Sequence, residues 1–199
     1  MISAILLAAG QSSRMNGENK LSKEIDGIPL IKYAIKNILG SSVDELIIVL
    51  GYERKVIESL IDINKKTKVI FNKNFKDGIA SSIKAGIGKI SKKSDAFFIC
   101  LGDMPNVNQN IYNKLIKTRS KYNKKLKIEH KKEIIIPTNQ GQKGNPVLFS
   151  KFMKDKFKNI EGDFGAKKII ELYEQKVLNV PIDNDGINLD FDTKEDFML

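Results

Sequence analysis

Cysteine, histidine and arginine are all scarce in this chain of 199 residues. The single cysteine, Cys100, rules out an internal disulfide, which fits a reducing compartment. The single histidine, His130, lies in a lysine-rich stretch. One His and one Cys cannot build a His/Cys metal cluster, and no Ser-His-Asp set is expected. His130 therefore reads as a surface residue. Cys100, next to Phe97, Phe98 and Ile99, reads as a buried, inert thiol. No apolar run approaches the roughly 18 residues of a membrane-spanning helix, so no membrane association is expected. The start lacks a basic segment followed by a small-residue cleavage site, and the expected location is cytoplasmic.

Arginine accounts for only three of 34 basic residues, Arg14, Arg54 and Arg119. The formal net charge is +10, which raises the question of a nucleic-acid partner. Specific base readout favours arginine, and the lysines are scattered except across residues 114–132. Ile and Asn are also abundant, so a lysine-biased composition explains the charge better. No nucleic-acid partner is expected, and a basic nucleic-acid-binding protein is kept as a remote alternative. The positive excess still helps to attract an anionic substrate.

The most informative stretch is residues 1–21, MISAILLAAGQSSRMNGENKL. Residues 2–7 suit a buried strand. The run breaks at Ala8-Ala9-Gly10 into a small, polar loop carrying Arg14 and ending near Lys20. Small residues let backbone N–H groups approach an anion, and Arg14 and Lys20 add the charge a polyphosphate needs. An ordinary turn between strand and helix is the plainer reading. The Walker A and Rossmann glycine patterns are both absent.

Along the chain, strands are expected at 45–50, 68–71, 96–101, 133–136 and 176–180, with an edge strand at 146–149. The strand at 133–136 should stop at Pro137. Helices are expected at 30–39, entered at Pro29 and ended by Gly40, and at 54–61, 79–90, 108–120, 151–158 and 163–174. A last short helix should start near Thr193. Residues 121–132 read as a mobile, lysine-rich insertion. Alternating strands and helices predict an α/β fold with a mostly parallel sheet, and later strands that are less regular. No repeat or linker divides the chain, so residues 1–199 are expected to form a single domain.

In such sheets ligands bind beyond the carboxyl ends of the strands. Asp103 follows the strand at 96–101 directly, where it could hold Mg²⁺, which takes one or two carboxylates plus phosphates; the alternative is a cap of the next helix or turn. Asp190 and Asp192 alternate with Phe191 and so share one face, and only one of them is needed for a metal. Asp192 could equally cap the helix from Thr193. Asn145 precedes Pro146 and is biased to extended geometry. Asp163 is a natural N-cap of its own helix.

Residues 7–15 (LAAGQSSRM), 77–86 (DGIASSIKAG), 101–105 (LGDMP), 144–149 (GNPVLF) with 162–167 (GDFGAK), and 189–197 (LDFDTKEDF) lie in order across nearly the whole chain. Together they resemble the molybdenum cofactor cytidylyltransferases of the MobA-like NTP transferase superfamily. The resemblance implies a Rossmann-like, three-layer α/β/α fold of the nucleotide-diphospho-sugar transferase type. It implies transfer of CMP from CTP to the molybdenum cofactor with release of pyrophosphate. Leu7, Ala8, Ala9, Gly10, Arg14 and Lys20 would form the nucleotide loop. Asn72, Gly78 and Ser82 would contact base and ribose, Gly144, Asn145 and Asp163 would face the pterin, and Asp103 with Asp192 would hold Mg²⁺. Arg14, Lys20 and Asp103 would be the catalytic set, and a molybdenum hydroxylase the recipient. A guanylyltransferase using GTP stays open, against which Ala9 argues because relatives of that kind tend to carry L-A-G-G. So does a sugar-phosphate or isoprenoid nucleotidyltransferase.

Overall fold

A computed structural model describes residues 1–12, 18–124, 130–193 and 195–197. In chain order the elements are β1 (Ile2–Ala8), β2 (Glu24–Ile25), β3 (Ile28–Pro29), α1 (Leu30–Leu39), β4 (Glu45–Leu50), α2 (Arg54–Ser59) and β5 (Thr67–Phe71). Then follow α3 (Ile79–Ile87), β6 (Ala96–Leu101), α4 (Gln109–Asn123), β7 (Ile134–Asn139), β8 (Gln142–Lys143), β9 (Val147–Ser150), α5 (Lys167–Leu172) and β10 (Val177–Pro181). Among the described residues one eight-stranded sheet runs β10-β7-β9-β6-β1-β4-β5, with β8 against β7. A separate β2–β3 hairpin turns at Asp26-Gly27.

Strands β6, β1, β4 and β5 are parallel neighbours. Helices cover both of their faces, so β1 and β4 are near-continuous apolar runs rather than alternating, with Ser3 and Glu45 as the polar residues. Ala4, Leu6 and Ala8 of β1 join one core with residues of α1, α2 and α4. Ile5 and Leu7 join the other with residues of α3, α5 and the 3-10 turn Lys151–Phe157. This is the three-layer α/β/α arrangement.

The second half departs from the expectations in several places. Residues 146–149 were expected at an edge, yet β9 lies between β6 and β7 and runs antiparallel to both. The aromatic rings explain its place: Phe149 stacks on Phe97 at 5.7 Å and meets Phe157 edge-on at 5.1 Å, and the side chains of β9 are buried throughout. Strand β7 does not stop at Pro137 but continues to Asn139. The Pro137 carbonyl accepts from Gly144 N–H at 2.9 Å, away from β10. The missing proline N–H falls on that same side, so the ladder with β10 is left intact.

Helix α4 continues past residue 120 to Asn123, and Asn123 then exchanges two hydrogen bonds with Lys132. Residues 125–129 of the lysine-rich stretch lie outside the described residues. The helix expected over 151–158 is a 3-10 turn, α5 begins only at Lys167, and residues 195–197 form a short 3-10 turn.

Candidate active site

Three segments meet beyond the carboxyl ends of β1 and β6. The first is the 3-10 turn Lys20–Ser22, which Asn19 caps by accepting from Leu21 N–H at 3.1 Å. Asn19 is buried, and its amide also donates to the Tyr52 carbonyl. The second is the turn after β6, tied to β1 where Gly102 N–H donates to the Leu7 carbonyl at 3.1 Å. The third is the segment 189–192, docked where Phe191 N–H donates to the Asp103 carbonyl at 2.9 Å. Phe191 packs edge-on against Phe197, and Asp196 accepts from the backbone N–H groups of Asp192 and Thr193.

These supports aim Lys20 at two carboxylates. Its Nζ lies 2.5 Å from Asp103 Oδ2 and also pairs with Asp192 Oδ1. Burial alone would lower the lysine pKa, but the two carboxylates outweigh it and the ammonium is held above its ordinary range. One oxygen from each of Asp103, Asp190 and Asp192 lies within 4.8 Å of the others. Burial, and then the neighbouring Asp192 and Asp103, push the Asp190 carboxyl up. Among the described residues, Asp103 Oδ1 is buried with no hydrogen-bond partner. A buried carboxylate oxygen without a partner is costly, and a divalent cation would satisfy it. The donor set is all oxygen, the chemistry of Mg²⁺ or Mn²⁺ rather than of a soft metal.

Gly10 borders this acidic cleft and a second one, lined also by Ala9, Phe75, Gly78, Ser82 and Asp163. The second cleft gathers four of the residues expected to hold nucleotide. Gly78 has a φ of +91°, and a Cβ there would come within 2.5 Å of the Gly162 backbone, so only glycine fits. The Ala9 methyl packs beside Gly51, where an added Cβ would meet it at 2.8 Å.

A third cavity, of about 490 Å³, has walls from Ile83, Leu101, Ile136 and Val147, with Gly144, Asn145 and Asp163 at its border. Leu101 directly precedes Gly102-Asp103 of the acidic cleft, so the end of β6 contributes to both. Gly144 passes so close to Ile187 that a Cβ would lie 2.5 Å from the Ile187 carbonyl oxygen.

Other expected residues fall elsewhere. Leu7 and Ala8 are interior to β1 with buried side chains, because the strand extends to Ala8 and the loop starts after it. Asn72 is buried, and its amide donates to Ser81 Oγ and Ser82 Oγ while its oxygen accepts from Asn74 N–H. It ties β5 to α3. Asp163 does not cap its own helix; its Oδ1 accepts from Ile79 N–H at 3.1 Å, at the start of α3. Arg14 lies outside the described residues. Asn19 was not expected, although an Asn immediately before the lysine is a capping signal.

Residues 4–177 match the sequence profile of the MobA-like NTP transferase domain. The chain belongs to that family. A bifunctional GlmU protein of Acholeplasma laidlawii is 35% identical to this MobA-like chain over 104 residues, covering 51% of the chain and 22% of GlmU. The chain thus matches less than a quarter of that relative's length. Among solved structures, Rv0371c of Mycobacterium tuberculosis superposes with a TM-score of 0.82 at 21% identity, covering 98% of this chain and 95% of the other. A manganese complex of Rv0371c gives 0.77 at 18% identity, over 98% and 95% of the two chains. A 4-diphosphocytidyl-2C-methyl-D-erythritol synthase of Anaerococcus prevotii gives 0.76 at 16% identity, covering 99% and 92%. At these identities the structural likeness is one of fold. No helix among the described residues is long and apolar enough to cross a membrane.

Proposed function

We propose that this MobA-like chain transfers CMP from CTP to the terminal phosphate of the molybdopterin cofactor, with release of pyrophosphate. The observation that carries this reading is that consecutive residues at the end of β6 line two sites, Gly102 and Asp103 the lysine–carboxylate cleft and Leu101 a cavity walled mainly by apolar side chains. A triphosphate needs the first, and a flat heterocyclic acceptor suits the second better than a highly hydroxylated one does. The cytidyl product named for the Anaerococcus prevotii relative supports CTP, and the manganese complex of Rv0371c supports a divalent ion.

In this reading an oxygen of the acceptor phosphate attacks the α-phosphorus of CTP. A new P–O bond forms, the bond from the α-phosphorus to the bridging oxygen breaks, and pyrophosphate leaves with those electrons. Catalysis of this kind comes from positioning and from charge stabilisation. Lys20, with Arg14 from the same loop, binds the triphosphate and the departing pyrophosphate. Ala9, Gly10, Gly78 and Ser82 seat the nucleoside, and Gly144, Asn145 and Asp163 border the acceptor. Asp103, with Asp192 and Asp190, would hold Mg²⁺, which supplies neutralisation of phosphate charge.

The test is pyrophosphate release with each of the four NTPs, with and without molybdenum cofactor. Release that needs CTP and the cofactor together is expected. Release without the cofactor but with a sugar phosphate would move the assignment to another acceptor class.

A further inference from the structure

We infer that Asp163 is a positioning residue that joins the nucleotide cleft to the acceptor cavity, so that occupancy of one is felt in the other. The inference rests on the nucleotidyltransfer reading of these cavities and adds a coupling between them.

Asp163 and Ile79 border both cavities, and they are hydrogen-bonded to each other. Ile79 opens α3, whose first N–H groups have no partner within the helix. Asp163 Oδ1 takes the Ile79 N–H at 3.1 Å, and the Gly162 carbonyl takes the Ala80 N–H at 3.0 Å. The acceptor-side loop therefore supplies the cap of the nucleotide-side helix.

The contact has no slack. A Cβ on Gly78 would collide with Gly162 at 2.5 Å and with Asp163 Oδ1 at 2.7 Å. Further along the same loop, a Cβ on Gly165 would lie 3.3 Å from the Ile79 side chain. The loop at 162–165 thus contacts Gly78 and Ile79 at two points. An acceptor that displaces this loop must displace the Gly78–Ile79 wall of the nucleotide cleft, and a nucleotide that fixes that wall fixes the loop. Such coupling is reciprocal.

A second consequence concerns the triphosphate. The first two amides of α3 are taken by the protein, and a carboxylate faces the positive end of the helix. That helix end is closed to phosphate, which leaves anion binding to the Lys20 side of the cleft.

The test compares wild type with Asp163→Asn, which keeps an acceptor oxygen, and Asp163→Ala, which does not. Hydrogen exchange is followed at residues 161–166 with and without saturating CTP and Mg²⁺. Nucleotide is expected to slow exchange at 161–166 about tenfold in wild type and in Asp163→Asn. In Asp163→Ala that protection should vanish while protection around Ala9 and Gly10 persists, a split that uniform destabilisation would not produce. In turnover assays the acceptor KM of Asp163→Ala should rise about tenfold, with Asp163→Asn restoring most of it. If Asp163→Ala melts below the assay temperature, Asp163→Ser replaces it. Undiminished protection at 161–166 in the alanine or serine variant overturns the inference, as does wild type without protection there despite bound nucleotide. If none of the four NTPs protects any segment, the nucleotidyltransfer reading itself fails and the coupling falls with it.

Discussion

Lys20 Nζ and Asp103 Oδ2 lie 2.5 Å apart although 83 positions separate the residues in the chain. The contact joins the loop after β1 to the turn after β6, and Asp192 closes it from the far end of the chain. One cation here partners two carboxylates and has a third close by.

Replacing Lys20 by Ala removes a positive charge from this cleft. The expected outcome is at least a tenfold fall in kcat/KM for the nucleotide, about 1.4 kcal/mol of transition-state stabilisation. Steady-state kinetics check this, and unchanged kcat/KM would remove Lys20 from the mechanism.

Asp103 supplies a buried oxygen without a partner among the described residues, so it should be the most sensitive of the three carboxylates. Asp103→Asn is expected to abolish turnover dependent on Mg²⁺ or Mn²⁺, and chelation should inactivate wild type reversibly. Asp192→Asn should raise the metal concentration needed for half-maximal rate. The measurement is rate against metal concentration for each variant. Silence of Asp192→Asn alone would leave Asp103 as ligand and exclude only the shared site.

CTP is expected to outcompete GTP. The methyl of Ala9, which the L-A-G-G pattern lacks, lies beside Gly51, and Ala9 lines the cleft in which a larger purine would need room. Paired-substrate competition measures it. Equal use of GTP would assign the chain to the guanylyl branch.

A prediction about stability concerns Glu45, buried at the start of β4. Burial raises its pKa, but the Ser3 hydroxyl, the Ser91 N–H and the Lys68 ammonium outweigh this and hold the carboxyl below its ordinary value of 4.5. A carboxylate with a lowered folded pKa stabilises the protein above its unfolded pKa, and that stability is lost as pH falls through the folded value. Glu45→Gln should therefore lower the melting temperature at pH 7 and weaken its decline below about pH 4.5. Thermal melts from pH 3 to 7 test both effects.

Much of the fold and part of the site are legible in the chain itself. Apolar runs such as ELIIVL mark strands buried on both faces, and Leu30, Ile31, Ala34, Ile35 and Ile38 mark the inner face of α1. Local periodicity carries that information without reference to the rest of the molecule. The small-residue loop before Lys20, the Asp after β6 and the Asp-x-Asp near the end are equally local, and they sufficed to nominate the cleft. What needed tertiary structure was non-local pairing. No sequence period tells that β9 enters between β6 and β7, since its place is chosen by the packing of Phe149 on Phe97 and Phe157. Nor does an N-cap pattern tell which helix is capped: Asp163 serves α3, 84 positions away, because glycine at 78 lets its backbone approach that of Gly162. Asp190 and Asp192 were alternatives along the chain, and the docking of Phe191 onto the Asp103 carbonyl brings both beside Asp103. Contacts between distant segments depend on the whole sheet being assembled, and so they were decided only in three dimensions.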